Sequence, residues 1–206
     1  MSQYFQIHPD NPQARLLQQA AQIVQDGGVI AYPTDSCYAL GCQPGEKGAV
    51  ERIQRLRRLD EEHKLTLVCR DLSEIATYAR IDNTAYRLLK SLTPGPYTFL
   101  LRATGEVPRR LQHRKRRTIG IRVPDHRITA ALLDAVDGVL MSTTLRLPGE
   151  ELPLCDPEVI RDRVGHAIDL VIDGGACGVQ PTTVVDMTRD PPEVVRSGLG
   201  DTALFE

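Results

Sequence analysis

Apolar positions recur along this chain with two periods. Over residues 12–25, Leu16, Leu17, Ala20, Ile23 and Val24 fall on one helical face. Asn11 reads as the N-cap, with Pro12 at the first helical position, and Gly27-Gly28 closes the helix. The uninterrupted run Val29-Ile30-Ala31-Tyr32 reads as a buried strand. A second helix is predicted over residues 47–59, where Val50, Ile53, Leu56 and Arg57 share a face. Helices are also predicted over 72–79, 83–92, 126–136 and 157–164. Strands are predicted over 64–69, 97–102, 118–122, 139–142, 170–172, 182–186 and 194–196. Those near 97–122 and 182–196 lie too close together for parallel crossovers alone. The pattern predicts one α/β domain over residues 1–206, three layers built on a mixed sheet.

Several strand ends carry small hydroxyl side chains. The strand through Tyr32 stops at Pro33, which cannot donate to a sheet ladder, and Thr34, Asp35, Ser36, Tyr38 and Gly41 follow. Pro94-Gly95-Pro96-Tyr97-Thr98 enters a strand through a rigid turn. Ser142-Thr143-Thr144 ends another strand, and Pro181-Thr182-Thr183 begins a third. Thr and Ser suit strand ends on their own account. Four such clusters in a chain of 206 residues also suit a groove whose hydroxyls bind carboxylate, carbamate or phosphate oxygens. Thr34, Thr98, Ser142 and Thr182 are expected to converge there.

Composition narrows the classes. Net charge is −2 and aromatics make up 4% of the chain, with no Trp, so neither a uniformly basic nucleic-acid binder nor widespread base stacking fits. The N-terminus does not read as a signal peptide, and no apolar run approaches the roughly 18–20 residues that span a bilayer. The five cysteines are scattered without metal-ligand spacing, which reads as reduced thiols in a cytoplasmic protein. Neither a Walker loop, a dinucleotide fingerprint nor a GxSxG elbow is present. His126 is the one histidine in a suggestive segment, and a structural role suits it as well.

Charge is nevertheless uneven. Arg102, Arg109, Arg110, Arg114, Lys115, Arg116, Arg117, Arg122 and Arg127 crowd one stretch, opposed there only by Glu106 and Asp125. Arg109, Arg110, Arg114, Lys115, Arg116 and Arg117 form a solvated loop, a phosphate clamp or a contact to the RNA backbone.

Taken together these segments resemble the YrdC-like family, whose founding activity is synthesis of L-threonylcarbamoyladenylate for the tRNA modification t6A. Tyr32-Pro33-Thr34-Asp35-Ser36-Cys37-Tyr38-Ala39-Leu40-Gly41 is similar to the family's YPT-(E/D)-T-x-YGLG. Pro94-Gly95-Pro96-Tyr97-Thr98 is similar to PGP-x-T, Arg122-Val123-Pro124-Asp125-His126 to RVP-x-H, and Ser142-Thr143-Thr144 to the start of STSAN. Thr182-Thr183-Val184-Val185-Asp186 and Arg196-Ser197-Gly198 resemble STVVD and R-x-G. The likeness spans about residues 13–199 and is closest to the YciO branch.

The resemblance implies a twisted mixed sheet around a concave groove. It implies ATP carried with Mg²⁺, L-threonine and bicarbonate as reactants, and no metal held by side chains. The residues expected to bind substrate or nucleotide are Thr34, Ser36, Tyr38, Arg57, Arg58, Lys64, Thr98, Arg122, Ser142, Thr144, Arg146, Thr182 and Arg196. Two departures stand out. The family's K-x-R falls on Arg57-Arg58-Leu59, so Leu59 replaces an arginine, and its S-x-N falls on Thr144-Leu145-Arg146, so Arg146 replaces an asparagine. Synthesis, reversal and hydrolysis of the adenylate all remain open, with synthesis expected to be weak. The alternative is a binder of structured or double-stranded RNA without catalysis.

Overall fold

The computed structural model describes residues 2–59 and 65–205. In chain order the elements are β1 (Gln3–Gln6), α1 (Ala14–Gln25), β2 (Ile30–Tyr32), β3 (Ala39–Cys42), α2 (Lys47–Arg57), β4 (Thr66–Val68), α3 (Leu72–Tyr78), β5 (Ala79–Arg80) and α4 (Asn83–Leu92). They continue with β6 (Tyr97–Ala103), a 3-10 turn at Arg109–Leu111, β7 (Thr118–Arg122), α5 (Arg127–Val136), β8 (Leu140–Thr144), α6 (Pro157–Val164), β9 (Leu170–Asp173), β10 (Thr183–Asp186) and β11 (Glu193–Arg196). The strands form one mixed sheet in the order β1-β9-β2-β3-β8-β4-β7-β6-β10-β11, with β5 alongside β6.

Strand alternation sends successive side chains to opposite faces. On one face Ala31, Leu40, Leu67, Met141, Phe99, Ile121 and Val185 pack against apolar residues of α2, α3, α4 and α6. The other face is covered over only half its width. Ile30, Tyr32, Leu140, Leu170 and Ile172 lie there beneath α1 and α5 through Leu17, Ala20, Val24, Leu132 and Leu133. Cross-strand register continues this face past α5 through Thr66, Ser142, Gly120 and Leu100. The third layer stops there, and the bare half of the sheet is the floor of a groove.

Local chemistry sets several boundaries. Arg58 adopts a left-handed conformation and ends α2 before the expected residue 59. Helix α1 starts later than expected: Gln13 is its N-cap, and Asn11-Pro12 do not cap it. The Gln13 side chain instead accepts from the His8 amide at 3.0 Å. Three short strands were not expected. β3 lies inside the motif read as a turn, β1 pairs in parallel with β9, and β5 contributes two residues beside β6. The strand expected over 64–69 is seen at Thr66–Val68, and Lys64 lies outside the described residues.

Candidate functional site

The groove encloses about 330 Å³. Thr98, Ser142, Thr144 and Thr182 line it with Arg57, Arg122, Arg146 and Arg196. Eight of the residues expected to bind ligand, drawn from six stretches of chain, are therefore brought to one cavity. β6, β7 and β8 supply Thr98, Arg122, Ser142 and Thr144 from one sheet face. Arg57 enters from the end of α2, and Arg196 from β11, where it pairs with Val184. Gly120 leaves the floor low, because a Cβ there would lie 3.2 Å from Thr66 Oγ1 and 3.4 Å from a Thr98 methyl.

The hydroxyls are already partly committed. Ser142 donates to the Leu40 carbonyl at 3.0 Å, so the 2.7 Å contact with Tyr32 has the phenol as donor. Ser142 therefore offers a ligand only a lone pair. Burial pushes the Tyr32 phenol up to about 12, which keeps it protonated in this role. Thr98 and Thr182 share a hydrogen bond of 2.8 Å, and Arg196 donates to the Thr182 carbonyl at 2.8 Å.

The four groove arginines divide by charge balance. Arg122 pairs with Asp35, whose other oxygen accepts from the Asp125 amide at 3.0 Å. Arg122 also reaches Ser36 at 3.4 Å. It is thereby held in place and neutralised. Arg57, Arg146 and Arg196 have no carboxylate partner among the described residues. Burial pulls Arg57 down to about 10, and the charge of Arg146 adds to the effect. Burial and Arg146 lower Arg196 in the same way. Arg57 Nε is buried and finds no hydrogen-bond partner among the described residues. Like charges crowded into a half-enclosed site favour an anion carrying more than one negative charge.

Other expected ligand residues are placed elsewhere. Thr34 is buried and builds its own loop, donating to the Cys37 carbonyl at 2.6 Å and accepting from the Cys37 amide at 3.2 Å. Tyr38 donates to the Gly175 carbonyl at 2.8 Å on the packed side of the sheet. Arg58 is exposed at the end of α2 and Leu59 packs against the core, so neither lines the groove. Ser36 touches Arg122 from behind. His126 is the N-cap residue of α5; burial holds its imidazole below the usual range, and Nδ1 has no partner among the described residues.

The basic run does not form one ridge. Arg109, Arg116 and Arg117 line a second cavity, whereas Arg110 turns away to the Gly45 carbonyl at 2.8 Å. Lys115 is exposed, and Arg114 is engaged by other contacts. Sequence reading missed Thr66 and Glu151 in the groove. Thr66 carried a usable signal, a lone hydroxyl in an otherwise apolar strand. Glu151 lies on an irregular segment with no periodicity to place it.

The sequence matches the family model for the Sua5, YciO and YrdC proteins, described as telomere recombination, over residues 22–198. YciO of Escherichia coli K12 is 57% identical over 205 residues, spanning all of both chains. The crystal structure of E. coli YciO covers both chains fully with a TM-score of 0.97. A threonylcarbamoyl-AMP synthase of Nitrosococcus oceani is 35% identical over 156 residues, which cover 75% of this chain and 83% of the relative. Sua5 of P. abyssi is 25% identical, with a TM-score of 0.89 over 97% of this chain and 61% of its own. The chain belongs to the Sua5/YciO/YrdC family.

Proposed function

We propose that the groove binds adenylates of the threonylcarbamoyl type and serves their formation, reversal or hydrolysis. The observation that carries this reading is the convergence of Arg57, Arg146 and Arg196 without carboxylate partners on a cavity floored by hydroxyls. The N. oceani relative, a threonylcarbamoyl-AMP synthase, supplies the reaction class, and the family resemblance supplies the link to tRNA modification.

In the synthetic direction, threonine and bicarbonate give a carbamate and water. A carbamate oxygen then attacks the α-phosphorus of ATP, forming threonylcarbamoyl-AMP and releasing pyrophosphate. The chain contributes position and charge. Its free guanidiniums neutralise the phosphates as charge shifts toward the leaving group. Leu100, Val179 and Val184 give the nucleoside an apolar wall. Ser142, with its proton directed to Leu40, is suited to accept from an amine or hydroxyl of the amino acid. Covalent catalysis has little support, since burial raises the Cys37 thiol and pushes Cys177 up to about 11.

No group of three His, Cys, Asp or Glu suited to a metal occurs among the described residues, and Glu151 is the groove's one carboxylate among them. This donor set fits Mg²⁺ carried on ATP phosphates, where the ion supplies charge neutralisation. Leu59 packs against the core and offers no guanidinium, so synthesis is slow beside that of relatives keeping both motifs. Calorimetry with ATP and with threonylcarbamoyl-AMP tests the assignment. Arg57→Ala and Arg196→Ala should each weaken binding about ten- to a hundredfold, the loss of one charge-assisted contact. Unchanged affinity in both variants would sink it.

A further inference from the structure

A second cavity, of about 740 Å³, lies on the same face of the sheet as the groove. It opens where β10 ends beside β6 and β5 takes over that edge. Four residue steps along β6, about 13 Å at the rise of a strand, separate Thr98 in the groove from Arg102 here. Arg80, Arg102, Arg109, Arg116 and Arg117 line it around the buried Thr118. Its lining holds neither an acidic nor an aromatic side chain among the described residues.

Two features set this cavity apart from an ordinary solvated loop. Arg80 and Arg102 are direct register partners across the antiparallel pair β5–β6. Like charges placed opposite each other on one sheet face repel and weaken the pairing. No carboxylate offsets them: among the described residues Arg80, Arg102, Arg109 and Arg117 have no ion pair. Arg116 alone meets one, at 3.8 Å from Asp186, and Asp186 is shared with Arg189 and already accepts from Thr188. The second feature is shape. The guanidiniums come from β5, β6, the 3-10 turn and the loop before β7, and they surround a concavity of the size that holds small molecules.

We propose that this cavity is a second anion site, taking an oligophosphate of two or more linked phosphates independently of the groove. Planar guanidiniums bind phosphate oxygens two at a time, and several together match a chain of phosphates better than a single one. Without an aromatic ring in the lining, the site recognises the phosphate chain and not a base attached to it.

Calorimetry with inorganic tripolyphosphate on the full chain tests the proposal. The wild type should show one binding event in the groove and one at this site. The pair Arg80→Gln with Arg102→Gln should weaken the event at this site at least tenfold, whereas Arg57→Ala should weaken only the groove event. Because the double change removes a like-charge pair, its thermal midpoint should equal or exceed that of the wild type. Should the double variant fail to fold, Arg109→Gln on the exposed 3-10 turn provides the same comparison. Tripolyphosphate binding that depends on Arg57 but is indifferent to Arg80, Arg102 and Arg109 would overturn the second site and leave the groove reading standing. Binding lost with Arg80 and Arg102, and insensitive to Arg57, would uphold the second site even if the groove takes no nucleotide. Duplex RNA bound through Arg80 and Arg102 by a chain that ignores tripolyphosphate would also overturn the proposal.

Discussion

Arg57 ends its helix with a charge that the fold does not neutralise. Its Nε is buried without a partner, and Arg146 adds repulsion. Such a residue is maintained against the stability of the free protein. Arg57→Met, which keeps an unbranched apolar stem and removes the guanidinium, should therefore raise unfolding stability by about 1–2 kcal/mol in urea while abolishing tight adenylate binding. A variant both less stable and unable to bind would show that Arg57 serves the fold. At this scale the sequence was a partial guide. It picked out Arg57, Arg146 and Arg196, because the motifs of the family resemblance fall on them. It could not show that Asp35 neutralises Arg122 while the other three have no carboxylate among the described residues, since that pair joins residues far apart in the chain. Nor could it show that Thr34 directs its proton to its own loop.

The elements that position the site depend on contacts across the sheet. Gly41 on β3 faces Tyr32 on β2, and a Cβ there would lie 2.7 Å from the Tyr32 ring. That ring reaches Ser142 on the groove floor. Gly41→Ala should displace it, costing about 1–3 kcal/mol as overpacking and perturbing the groove at once. Chemical denaturation together with adenylate affinity measures both, and a variant matching the wild type in each would refute the coupling. Amphipathic helices were legible because their apolar stripes are long, and α4 and α6 have the expected bounds. β1 and β5 were not, being short segments defined by partners distant in sequence, and β3 was not, because it returns beside β2 within a motif that reads as a turn. Arg58 shows the same limit at a helix end, where a left-handed residue stops α2 without a glycine to announce it.

For the whole molecule, the mixed sheet and its layers follow from the order of helices and strands, but the extent of the third layer does not. That layer ends where α5 ends, and the consequence is a gradient of dynamics. Strand β2 is covered on both faces, by Ile30 and Tyr32 on one side and Ala31 on the other. Strand β10 buries Val185 on one face and presents Val184 to the groove on the other. Local opening should then be rarer around β2 and β9 than around β10 and β11. Amide hydrogen exchange in the free protein should show protection falling across the sheet in that direction. A bound adenylate would act as the missing layer, slowing exchange in β6, β7 and β10 while leaving β2 and β9 nearly unchanged. Uniform protection, or a ligand effect spread evenly over the sheet, would contradict this. On this view the ligand completes the third layer of the fold, and its occupancy would be readable strand by strand from amide exchange.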